Sequence, residues 1–82
     1  MPYIKQERRE QLDDDDFPSS AGELNYVLTT KIHQYWKTYG PDSGYKIIND
    51  ILGALEGAKL EFVRQVVNPY EDGKIKANGS IY

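Results

Sequence analysis

The sequence contains no cysteine, a single histidine, and no apolar run approaching the roughly 20 residues that a membrane-spanning helix needs. Without cysteine there are no disulfides, no thiolate metal sites and no thiol nucleophile. One histidine, His33, cannot build a multi-histidine zinc site. There is no G-x-S-x-G elbow, no G-x-G-x-x-G and no G-x-x-x-x-G-K-[ST] loop, so these signatures of nucleophilic catalysis and phosphate cradling are missing. The opening Met1-Pro2-Tyr3-Ile4-Lys5-Gln6 has no apolar h-region. With the missing cysteine, this leads us to expect a cytoplasmic protein. Basic residues are also scarce: ten Lys and Arg against thirteen Asp and Glu give a net charge of -3. Nucleic-acid backbone recognition needs several phosphates neutralised by Lys and Arg, and a mildly acidic chain with scattered basic residues is a poor candidate for it.

Tyrosine is abundant: seven residues, against one Trp and two Phe. Its rigid apolar ring with a polar end suits interfaces and ligand sites, and also serves as half-exposed core filler. The chain has 82 residues, enough for one small domain spanning 1–82. So short a domain buries little more than half of its unfolded surface, and no disulfide is available to compensate. The remaining routes to stability are a tight helical core or self-association, and we expect a homo-oligomer.

Hydrophobic spacing predicts an all-α, or mostly α, fold. Ile4, Arg8 and Leu12 recur at i, i+4 and mark a short first helix. Asp13 to Gly22 is a loop, because four consecutive aspartates repel and Pro, Ser and Gly break regular structure. These aspartates do not alternate as calcium ligands must, so no metal site is expected. A second helix runs from Ser20 to Tyr39, with Ser20 as N-cap and Glu23 completing a capping box. Its stripe is Leu24, Val27, Leu28, Ile32, Tyr35, Trp36 and Tyr39. Gly40-Pro41 is expected to stop it. A third helix runs from about Ser43 to Val67 and is stopped by Asn68-Pro69. Ile47, Ile48, Ile51, Leu52, Ala54, Leu55, Ala58, Phe62 and Val66 share one arc of it. The expected architecture is an antiparallel hairpin of the second and third helices with the first docked on it. Residues 69–82 are expected to form a turn or small hairpin tail, on the evidence of Asp72-Gly73 and Asn78-Gly79.

Few residues invite chemistry. His33 lies opposite the apolar stripe of its helix, beside Tyr26, Thr29, Thr30 and Lys37, and reads as a solvated histidine; no enzyme is expected. Lys59 sits at the edge of the apolar arc, where its ammonium snorkels outward or pairs with Glu56, Glu61 or a ligand anion. With Arg64, Tyr70, Lys74 and Lys76 it could form a cationic, aromatic-walled site for a phosphate-bearing molecule, with Tyr26 and Asn25 as outer contacts. Gly53 and Gly57 cost helicity, which close approach by another backbone would offset. With Tyr35 and Trp36 they are the expected interface residues.

Several segments carry a resemblance: Met1-Pro2-Tyr3-Ile4-Lys5-Gln6-Glu7, Gly22-Glu23-Leu24-Asn25-Tyr26-Val27, Gly53-Ala54-Leu55-Glu56-Gly57-Ala58-Lys59-Leu60-Glu61-Phe62, Val66-Val67-Asn68-Pro69-Tyr70-Glu71-Asp72-Gly73-Lys74-Ile75-Lys76 and Asn78-Gly79-Ser80-Ile81-Tyr82. Together they resemble a family of small uncharacterised phage and prokaryotic proteins, a domain of unknown function. Family members carry more basic character where this chain has Val63-Arg64-Gln65. The helical scaffold, the tyrosines and the polar tail lead us to expect a non-enzymatic binding protein without a cofactor. The resemblance adds a phage association, and with it a protein that could act against host defence by sequestering a nucleotide-like signal or a host factor. The competing expectation is a protein–protein interaction or virion accessory role.

Overall fold

The computed structural model describes residues 3–82. Among them there are helices and no strands: α1 (Gln6–Asp13), α2 (Ala21–Ser43), α3 (Tyr45–Phe62), a π-helical segment (Val63–Val67) and α4 (Asn68–Asn78). The fold is all-α, as the periodicity predicts. The chain divides into two compact units, Met1–Ile48 and Asn49–Tyr82. The expected pairing of the second and third helices spans both units and stays an expectation.

In the first unit, α1 packs on α2. The i, i+4 stripe faces inward: Leu12 is buried, and Ile4 and Arg8 are half-buried. The expected loop is shorter than 13–22, because α1 takes in Asp13 and α2 begins at Ala21. Asp15 turns the chain with a positive φ of 70°, a conformation that Asp tolerates better than most residues. Ser20 caps α2 as expected, its Oγ accepting from Glu23 N–H at 3.1 Å. The reciprocal half of the capping box differs. The Glu23 carboxylate accepts from Ser19 N–H at 2.9 Å.

Gly40-Pro41 does not stop α2, which continues to Ser43. Pro41 lies in the last turn, and the chain breaks at Gly44 instead, whose φ is 46°. Gly40 is needed for a different reason. It is buried under the Trp36 ring one turn earlier, and a Cβ there would lie 2.2 Å from Trp36 Cε3.

The second unit departs most from expectation. Asn68-Pro69 does not end the third helix. The Asn68 N–H bonds to Val63 O, five residues back, and the widened π turn carries the chain into α4 with Pro69 in its first turn. Pro lacks an N–H and clashes with the carbonyl four residues earlier. A π turn shifts the bonding register at that point, and the first turn of a helix tolerates Pro. The tail is therefore a helix and not a turn or hairpin. Asp72-Gly73 lies within α4. Asn78-Gly79 ends it, with Gly79 at φ 84° and its N–H donating to Ile75 O at 2.7 Å.

Candidate functional site

Two surfaces carry the residues that matter. In the first unit, Arg8 is the centre of a polar network joining α1, the acidic loop and α2. Its Nε and Nη2 donate to Glu23 Oε1 at 2.9 and 2.8 Å. Nη2 also donates to Phe17 O at 3.0 Å, and Nη1 to Gln11 Oε1 at 3.0 Å and to Asp16. The guanidinium, helped by Ser19 N–H, holds the Glu23 carboxyl down to about 2. The same guanidinium, with Phe17 N–H, holds Asp16 below its ordinary range, and Arg8 is raised in turn. This is structural chemistry: five donor hydrogens of one arginine fasten a loop that would otherwise repel itself.

Beside the network, Leu12, Phe17, Pro18, Leu24 and Val27 line a cleft of about 290 Å³ edged by Asp13, Asp15 and Asp16. Tyr26 donates to Asp13 Oδ1 at 3.0 Å; partial burial and that bond push its phenol up. Asn25 accepts from Thr29 Oγ1 at 3.0 Å. The two expected outer contacts thus have partners within the first unit. His33 is exposed on α2. The expected interface aromatics are both on α2: Tyr35 packs against Tyr39 with ring centroids 4.9 Å apart, and Trp36 covers Gly40.

In the second unit, Lys59 is exposed and its Nζ lies 3.7 Å from Glu56 Oε1, the snorkelling and pairing that its edge position implies. Lys74 sits over the Tyr70 ring, 5.5 Å from the centroid, an arrangement favoured by the ring's negative face. Lys74 also lines an open depression of about 330 Å³ with Glu71, Ile75, Asn78 and the closing residues 79–82. Lys76 falls about 160° around α4 from Lys74 at helical spacing, on another face. Arg64 is exposed in the π segment. The five expected site residues therefore yield one close pair, Tyr70 and Lys74, and no single enclosed pocket. A Cβ built on Gly53 or Gly57 meets nothing within 4 Å, so neither glycine makes a close approach among the described residues.

The apolar arc expected of the third helix falls largely on α3. It lies open: Leu52 and Phe62 each keep 59 % of their surface and Leu55 keeps 39 %. Helical spacing groups these residues on one arc. Their period reports a buried face without reporting what buries it.

Among its described residues the chain is all-α, and large apolar residues of α3 are exposed. A family model for a domain of unknown function, DUF6899, matches residues 1–81. The chain belongs to that family. No curated protein and no solved structure matches it.

Proposed function

We propose that this is a non-enzymatic binding protein that works as a homo-oligomer and engages a protein partner. The supporting observation is the amount of large apolar surface outside: Phe17 and Leu24 in the first unit, and Leu52, Leu60 and Phe62 in the second. Contiguous exposed apolar surface marks interaction sites. Within the phage setting that the family resemblance implies, a host defence factor is a fitting partner.

A second reading keeps the nucleotide-like ligand. Its specific support is Lys74 over Tyr70 beside the depression that closes on Tyr82. An anion would meet the ammonium while a base stacks on tyrosine.

Native mass spectrometry of the protein purified gently from its natural host separates the two. A co-purifying protein that is lost on replacing Phe17 and Leu24 with Ser supports the first reading. A nucleotide-sized adduct that is lost in Tyr70→Ala/Lys74→Ala supports the second. A bare chain that gains no thermal stability from nucleotides would contradict both.

A further inference from the structure

We propose that the open face of α3 is covered by a second copy of this chain, lying antiparallel to it, with Lys59 and Glu56 of the two copies interleaved at the two-fold axis. This deepens the homo-oligomeric part of the proposed function and rests on that reading.

Leu52, Leu55, Lys59 and Phe62 are spaced 3, 4, 3. That is the a/d repeat of a coiled-coil seam, and all four lie in the regular helix before the π turn. The three apolar members are open to solvent, and the lysine between them is exposed beside Glu56. A seam interrupted by one lysine constrains its partner, because a cation at an a position selects register and orientation. A parallel copy in register would place the two Lys59 ammonium groups in the same layer, with no partner carboxylate beside them. An antiparallel copy centred at Gly57 sets Leu52 against the partner subunit's Phe62 and Leu55 against the partner subunit's Lys59. In that register, Lys59 also comes beside the partner subunit's Glu56. The two lysines and two glutamates then alternate in sign around the axis, and each Lys59 retains the Glu56 of its own helix 3.7 Å away. Shifting the register by one heptad removes the cross-copy carboxylate. Gly53 and Gly57 lie on the opposite face of the helix from the seam, so this contact does not use them.

Charge reversal tests this without disturbing a buried residue, since Lys59 and Glu56 are both exposed. Sedimentation equilibrium of the whole chain is expected to show a dimer that Lys59→Glu weakens by about tenfold or more, because four carboxylates then meet at the axis. The double variant Glu56→Lys/Lys59→Glu should restore the wild-type affinity. The absence of native cysteine gives a second, independent readout. Glu56→Cys, beside the axis, should form a disulfide-linked dimer on mild oxidation, whereas Leu52→Cys should not. A dimer indifferent to Lys59→Glu, or one linked through Leu52→Cys instead of Glu56→Cys, would overturn this seam and leave homo-oligomerisation standing. A wild-type monomer at all accessible concentrations, with α2 of the same chain on this face, would overturn both.

Discussion

Arg8 is the residue on which the first unit turns. It reaches Glu23, Asp16, Gln11 and the Phe17 carbonyl at once, so an acidic tetrad that reads as a solvated loop is held in place from one side. Glu23 has its folded pKa lowered from 4.5 to about 2, and Asp16 is lowered as well. A depressed carboxyl stabilises the fold fully above its unfolded pKa and loses that contribution as pH falls through the folded one. The docking of α1 should therefore weaken as pH drops from about 4.5 towards 2. Glu23→Gln should lower stability at neutral pH and flatten this acid limb, as followed by thermal melts across pH. An unchanged acid limb would argue against the network. Gly40 makes a second residue-level case. Gly40→Ala drives a Cβ into the Trp36 ring and should destabilise by about 1–3 kcal/mol, the usual range for overpacking. The single tryptophan reports the change directly through its emission spectrum.

At the scale of elements, the helices of the first unit were legible because their signals are local: an i, i+4 stripe ending in Leu12, and a Ser20 cap ahead of Glu23. Glycine and proline were misread wherever the chain already had a helix to extend. Adding a turn to an existing helix avoids the cost of nucleating a new one. A π turn accommodated Pro69, the last turn of α2 accommodated Pro41, and Gly73 stayed helical. The Asn78-Gly79 dipeptide served as a helix C-terminus, a role that glycine fills as readily as a hairpin turn. If α4 is a helix with Gly73 in its interior, Gly73→Ala should stabilise it by about 1 kcal/mol. The space for a Cβ is empty there. Mean residue ellipticity at the helical minimum should become more negative. A loss of helical signal would favour the turn-and-hairpin tail instead.

At the scale of the whole molecule, length and composition leave two routes to stability. With no disulfide and 82 residues, the alternatives were a tight helical core or another copy. Leu12 and Ile47 are the apolar side chains buried among the described residues, while the α3 seam stands open. The candidate ligand residues were only partly legible. Nearness in sequence placed Tyr70 and Lys74 together one turn apart, but could not place Lys76, which the helical twist of α4 carries to another face. The seam itself was visible as a period, although its occupant was not, since periodicity is the same whether the covering surface comes from the same chain or another. No helix among the described residues is long and apolar enough to cross a membrane.

The most direct test of the account is the solution mass of the purified wild-type chain by sedimentation equilibrium at micromolar concentration. An integral multiple of 9.4 kDa that persists on dilution and falls to one chain mass in Leu52→Glu/Leu55→Glu is the expected result. A single-chain mass throughout, with the same helical content, would contradict it.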